Sequence, residues 1–259
     1  MLFDILTLFP SMFEGVFSDS IIKRAVDKGL VTIELHNIRD YSDDPRHWTV
    51  DDYPYGGDAG MLLKPQPLAT AIGAARERHK AFDPKVIYLS PQGELLNQEV
   101  VNSLLECQSL ILLCGRYKGI DQRIIDRYVD REISIGDFVL SGGELPAMAL
   151  VDAVTRLIPG VLSNRDSAET DSLYNGLLSH PEYTRPEEFE GMKVPPILLS
   201  GHHANIRAWQ MEQAKMITQS KRPDLWDKYS KMHSVRDKEK FDKKNKTSGV
   251  GPMQHDADR

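Results

Sequence analysis

Three short segments hold residue types and spacings that could do chemistry: YLSPQG (Tyr88–Gly93), CGRYKGID (Cys114–Asp121) and SIGDFVLSGGELPAM (Ser134–Met148). Each begins where a strand is expected to end, and in open α/β sheets ligands collect beyond the carboxyl ends of the strands. Gly115, Gly119, Gly136, Gly142 and Gly143 let backbone approach a ligand closely and offer it amide N–H and C=O groups. Pro91 and Pro146 stiffen the walls. One glycine turn after a strand is most often only a turn. Three of them, all after strands, point to one composite pocket. No GxGxxG follows a strand and no GxxxxGK(S/T) occurs, so neither a dinucleotide fingerprint nor a P-loop is present. A pocket without a phosphate cradle suits an adenosine-type ligand held by backbone edges.

The elements that must position these loops alternate short apolar runs with helical patterns, the mark of an α/β layer fold with a mainly parallel sheet. Phe3–Phe9 reads as a buried strand and Val31–Ile38 as a second, with the helical stripe Ile21, Ile22, Ala25, Val26 between them, stopped by Gly29. Lys85–Ser90 and Leu110–Cys114 are continuous apolar runs, as expected of strands covered on both faces. Asn97–Glu106 lies between them as a crossover helix opened by Asn97, and Glu144–Ile158 reads as a deeply buried helix. After Pro159 the character changes: Gly160–Asp171 is polar and aperiodic, a Pro-rich stretch follows, and helical patterns return at Ala204–Gln219 and Leu225–Met232. The expected organisation is an α/β domain over 1–159, a mobile linker over 160–175, a helical domain over 176–246 and a disordered tail over 247–259.

Composition narrows the function classes. With 259 residues, 41% hydrophobic and 27% charged, the chain can bury a core, and wholesale disorder is excluded. A net charge of −6 excludes a generally basic nucleic-acid coat, yet residues 221–246 carry ten Lys/Arg against five Asp/Glu. The Lys-rich stretch Lys238–Lys246 reads first as a solvated helix end. Cys107 and Cys114 form no CxxC and have no His cluster nearby, so neither a disulfide framework nor a zinc site is expected. No run approaches the ~18 apolar residues of a membrane span, and the opening MLFDILTLFP is short for a signal core and interrupted by Asp4. A cytoplasmic location without membrane contact is expected.

Six motifs in order, PYGGDAGM (Pro54–Met61), YLSPQG, CGRYKGID, SIGDFVLSGGELPAM, RLIPGVL (Arg156–Leu162) and HPEYTRP (His180–Pro186), resemble the bacterial tRNA (guanine-N1)-methyltransferase family of the SPOUT superfamily. The resemblance runs from the first strand through Gln219. It implies a trefoil-knotted α/β domain that binds S-adenosylmethionine in the knot, followed by a smaller, mainly helical domain that binds tRNA. It also implies an obligate homodimer with sites at the interface. The expected reaction is methylation of guanine N1 at the position immediately 3′ of the anticodon, which supports reading-frame maintenance. The resemblance assigns the cofactor to Tyr88, Leu89, Ser90, Pro91, Gln92, Gly115, Tyr117, Gly119, Ile135, Gly136, Asp137, Phe138, Val139, Leu140, Gly142, Gly143 and Pro146.

Asp171 matches the family's general base and Arg156 its positively charged partner. Guanine N1 carries a proton that a carboxylate must take as the methyl moves, and the charge that builds on O6 suits a guanidinium. Apart from the resemblance, Asp171 in ETDS reads as a helix cap and Arg156 as a surface ion-pair partner. Tyr55 and Gly60, in a glycine loop expected to approach RNA, are candidate substrate contacts with Arg185, His203 and Arg207; the two arginines suit phosphates. Trp209, Ile206 and Met216 share a helical face and read as core. Magnesium is expected to act, where it acts, through tRNA phosphates, with no ligand set assignable.

Three departures from the family pattern bear on the pocket and its loops. Lys118 stands where the family usually has Glu, and Asp58-Ala59 alters the glycine loop. Phe138 in place of a more usual Tyr forfeits a hydroxyl. The rival readings are ribose 2′-O methylation by another SPOUT enzyme and a non-catalytic RNA-binding module.

Overall fold

The computed structural model describes residues 1–162, 172–173 and 175–233. The chain divides into two compact units, Met1–Arg165 and Asp166–Arg259. Asp171, most of the expected linker, the Lys-rich stretch and the tail lie outside the described residues.

The first unit is built on one five-stranded sheet of β1 (Leu2–Thr7), β2 (Thr32–Asn37), β5 (Lys85–Leu95), β6 (Ser109–Cys114) and β7 (Arg131–Ser134). Its order is β2-β1-β6-β5-β7 and every pairing is parallel. Two short strands, β3 (Asp51–Asp52) and β4 (Leu62–Leu63), form a separate antiparallel pair beside it.

Alternate residues of each strand feed opposite cores, as the two-residue period of a strand requires. On one face Phe3, Ile5, Ile87, Leu89, Leu110 and Leu112 pack on α4 (Gln98–Leu104) and α6 (Glu144–Thr155). On the other, Leu6, Val86, Tyr88, Ile111 and Leu113 pack on α3 (Pro65–Arg78) and α5 (Gln122–Tyr128). Coverage on both faces explains why these strands read as unbroken apolar runs. Local chemistry sets the helix ends. Asn97 caps α4 by accepting from the Val100 amide at 3.0 Å, and Asp19 does the same for α2 (Ser20–Asp27) through Ser20. Gly29, at φ +68°, ends that helix as expected.

A carboxylate sits inside the apolar layers. Asp4, in the middle of β1, is fully buried. His36 from β2 lies 2.7 Å from one of its oxygens, and His79 3.2 Å from the other. The Arg78 guanidinium, 3.7 Å from Asp4, also pairs with Glu34. The ligand atoms of Asp4, Glu34 and His36 lie close enough for a metal ion, but Arg78 supplies the positive charge among them.

Strand β5 does not stop at Ser90. It continues through Pro91 and Gly93 to Leu95, with Leu89 and Glu94 both opposite Ile133 of β7. That bulge brings backbone against backbone: a Cβ on Gly93 would lie 2.3 Å from the Glu132 carbonyl carbon. Only glycine allows this crossing.

The second unit is mainly helical. A two-residue hairpin, β8 (Glu188–Phe189) with β9 (Met192–Lys193), turns through Glu190 and Gly191, both at positive φ. It precedes α7 (Pro196–Leu199), α8 (His203–Lys221) and helical residues 223–233. The expected core face of α8 needs correction. Ala214 and Thr218 are its buried residues, Trp209 and Ile206 are half-buried, and Met216 is exposed. Thr218 fits there because its hydroxyl donates to the Ala214 carbonyl at 2.7 Å and accepts from the Leu178 amide at 2.9 Å.

Candidate active site

The carboxyl ends of β5, β6 and β7 open onto a single cleft of about 350 Å³, within the range of small-molecule sites. Of the seventeen residues assigned to the cofactor, sixteen line it; Asp137 does not. Lys118, noted above for its bearing on the pocket, lines it as well, and so do Arg116, Ile120, Gln122, Ile125, Ile133, Ser134 and Ser141, which had not been singled out. Arg116 and Lys118 lie inside the quoted CGRYKGID motif, so proximity to its glycines was the available signal.

The walls are held by close backbone contact. The Gly143 amide donates to the Gly115 carbonyl at 2.9 Å, and Arg116 bridges to Gly142. A Cβ on Gly143 would sit 2.8 Å from the Cys114 Cα, and one on Gly115 2.9 Å from the Tyr88 ring. Glycine is therefore required where β6 meets the start of α6. Tyr117, at φ +59°, adopts the left-handed conformation without being glycine. Its hydroxyl is raised above the ordinary phenol range by a hydrogen bond to Asp51.

Beneath the loops lies a buried charge pair. Glu144, at the start of α6, is 1% exposed and approaches Arg116 Nε to 2.9 Å, off the line of a good hydrogen bond. Its other oxygen accepts from the Thr7 hydroxyl at 2.8 Å. Arg116 donates to the Ser141 carbonyl at 3.3 Å and lies 4.4 Å over the Phe9 ring. One guanidinium thus joins the β6 loop, the Ser141–Gly143 turn and the end of β1.

Tyr88 forms one side of the cleft. Burial, and then the charge of Glu132, push its hydroxyl up to about 12, so it stays protonated at neutral pH. Apart from Arg116 and Lys118 the lining is uncharged, and among the described lining residues there is no carboxylate. A hard divalent cation, which takes oxygen ligands, finds no acidic side chain there. Apolar walls, glycine edges and neutral hydroxyls fit a flat, uncharged heteroaromatic group.

The remaining candidates lie elsewhere. Arg156 caps the carboxyl end of α6, partly buried, and does not line the cleft. Tyr55 is fully exposed and Gly60 has φ +106°, both in the glycine loop of the first unit. Arg185, His203 and Arg207 are exposed in the second unit.

Against known families, residues 1–228 match the model described as tRNA (Guanine-1)-methyltransferase TrmD. The chain belongs to the TrmD family. A TrmD relative named tRNA (guanine-N(1)-)-methyltransferase, from Ruminiclostridium cellulolyticum, is 55% identical over 88% of this chain and 97% of that protein. Similar proteins of the same name come from Dehalococcoides mccartyi, 54% identical over 88% of this chain and 91% of that protein, and Geobacter sulfurreducens, 52% identical over 92% and 96%. Membership in TrmD makes this chain a methyltransferase of the SPOUT fold. No helix among the described residues is long and apolar enough to cross a membrane.

Proposed function

We propose that this protein transfers a methyl group from S-adenosylmethionine to N1 of the guanine immediately 3′ of the anticodon in tRNA, acting as a homodimer in the cytoplasm. One observation carries the reading: in a member of a tRNA methyltransferase family, the loops after β5, β6 and β7 converge on one carboxylate-free cleft with glycine edges. The fit to the cofactor rests on the cradle itself. Glycine at 115 and 143 leaves backbone where any side chain would fill the space, and Tyr88 remains a neutral hydroxyl beside it.

When bound, the cofactor's sulfonium supplies an electrophilic methyl and leaves as a neutral thioether. This chain's residues do the rest. The glycine edges at 115, 119 and 143 and the walls at Leu89 and Leu140 hold the adenosine by backbone and apolar contact. Asp171 takes the N1 proton as N1 accepts the methyl, and Arg156 stabilises the charge that builds on O6. Pairing a base with a cation meets the two demands of alkylating a protonated ring nitrogen. The segment 160–175 brings Asp171 to the target, and exposed Tyr55, Arg185, His203 and Arg207 contact the RNA. The target nucleotide must leave its stack to be reached.

The test is incubation with labelled S-adenosylmethionine and paired tRNA transcripts bearing guanine or adenine 3′ of the anticodon. Label only in the guanine transcript, recovered as N1-methylguanine, is expected. Label recovered as a ribose methyl, or cofactor binding with no transfer to either transcript, would overturn it. Asp171→Ala is expected to abolish transfer while leaving cofactor affinity unchanged.

A further inference from the structure

Two charged residues from separate loops, Lys118 and Asp58, meet in space. Lys118 lines the cleft, and its Nζ lies 3.8 Å from Asp58 Oδ2 on the glycine loop. The encounter is built into the backbone. The Lys118 amide donates to the Met61 carbonyl at 3.1 Å, the Leu63 amide to the Gly119 carbonyl at 3.1 Å, and Leu63 forms a parallel bridge with Ile120. Between the two charges the lysine stem crosses Gly60, where a Cβ would stand 3.2 Å from Lys118 Cγ. Gly60 at φ +106° thus opens the path along which Lys118 reaches Asp58.

The charge balance of the cleft gives this pair a consequence. The described lining has two cations and no carboxylate. Both counter-charges lie outside the lining, but they differ in strength: Arg116 pairs with buried Glu144 at 2.9 Å, whereas Lys118 meets exposed Asp58 at 3.8 Å and is the less compensated cation. On the reading above, the ligand before transfer carries a sulfonium and a net positive charge, and the ligand after transfer is a neutral zwitterion. A lysine at the wall repels the first more than the second. We propose that Asp58 is a charge-compensating residue: by pairing with Lys118 it keeps the cleft able to accept a cationic methyl donor and sets the preference between donor and product. Asp58 acts through Lys118 and is a positioning residue, since it does not line the cleft.

The experiment measures dissociation constants of S-adenosylmethionine and S-adenosylhomocysteine by titration calorimetry, without tRNA, on the full chain. Asp58→Asn is expected to weaken the sulfonium ligand relative to the thioether by roughly two- to fivefold at low salt, the range of an exposed ion pair. Lys118→Gln leaves Asp58 unopposed and shifts the ratio the opposite way, and Asp58→Asn with Lys118→Gln restores it. The shifts fade as salt rises from about 0.01 M to about 1 M. Both side chains are substantially exposed, at 48% and 80%, so thermal melts are expected to match wild type. A merely structural role would move both ligands together. Equal changes for the two ligands, no change, or failure of the double variant to restore the ratio would overturn the proposal. Wild-type protein that binds neither ligand would instead overturn the cofactor reading on which it rests.

Discussion

Gly143→Ala isolates the closest backbone approach in the site. The added methyl would stand 2.8 Å from Cys114 Cα, 3.1 Å from the Gly115 nitrogen and 3.3 Å from the Cys114 carbonyl carbon. All three are backbone atoms, so none can swing aside as a side-chain tip would. Carbon contacts settle at about 3.5–4.0 Å, so the start of α6 must retreat by several tenths of an ångström. Gly143 itself has φ −79°, which alanine adopts freely, so the cost is steric and not conformational. Overpacking of this kind costs about 1–3 kcal/mol, which at about 2–4 °C per kcal/mol for chains of this size lowers the melting temperature by roughly 2–12 °C. The same displacement strains the Gly143–Gly115 hydrogen bond at 2.9 Å, so ligand affinity at the cleft is expected to fall as well. The control is Gly73→Ala in α3, where nothing lies within 4 Å of the new methyl. There, replacing a helical glycine is expected to stabilise by about 0.5–1 kcal/mol. Calorimetric melts of both variants decide the matter. If Gly143→Ala melts at or above wild type, the claim that this crossing requires glycine is wrong.

Three further outcomes are expected. Glu144→Ala leaves the Arg116 charge and the Thr7 hydroxyl without their buried partner, a loss of about 3–5 kcal/mol by urea unfolding. An unchanged midpoint would mean that water screens the pair. Tyr88 is expected to resist ionisation until about pH 12, visible as one late tyrosinate absorbance step in the folded protein. Because its folded value lies above the unfolded value of 10.0, its contribution is fully present below pH 10 and is lost as pH rises towards 12. Early ionisation of every tyrosine would contradict the buried hydroxyl. Asn97→Ala removes the cap of α4 and is expected to cost about 1 kcal/mol in chemical unfolding, with no effect on ligand affinity.

The sheet was legible because its faces are so fully covered. The Leu110–Cys114 run has no charged residue to disguise it, the Lys85–Ser90 run keeps its polar Lys85 and Ser90 at its two ends, and the ends of α2 and α4 are written in Gly29 and Asn97. The extension of β5 was not legible, since Pro91 and Gly93 read as a terminus, while the structure uses them for a bulge that keeps pairing with β7. Helix α3 was overlooked because it opens on Pro65 and Pro67 and carries Gly73 in its middle. Met216 was read as core because helical spacing alone does not say which face of a helix finds a partner. Motif order brought the cleft residues together; pairings between distant loops such as Lys118 with Asp58, or Arg116 with Glu144, are tertiary facts that no local spacing encodes.

The strand order also governs how the chain can be made. Strand β1 emerges first, and β2 closes one of its edges early, but the other edge belongs to β6 at residues 109–113. At about 5–20 residues per second of synthesis, that edge waits roughly 5–20 s with Phe3, Ile5 and Leu6 in water. An unpaired apolar strand on a nascent chain is a template for the wrong neighbour, and an inward-pointing charge is one protection against it. Asp4 stands in the middle of that stretch; His36 on β2 is the first of its partners to be made, and Arg78 and His79 are translated well after it. The carboxylate that the folded core holds between His36, His79 and Arg78 is, until β6 arrives, the one charge on a largely apolar β1 stretch, Leu2–Thr7.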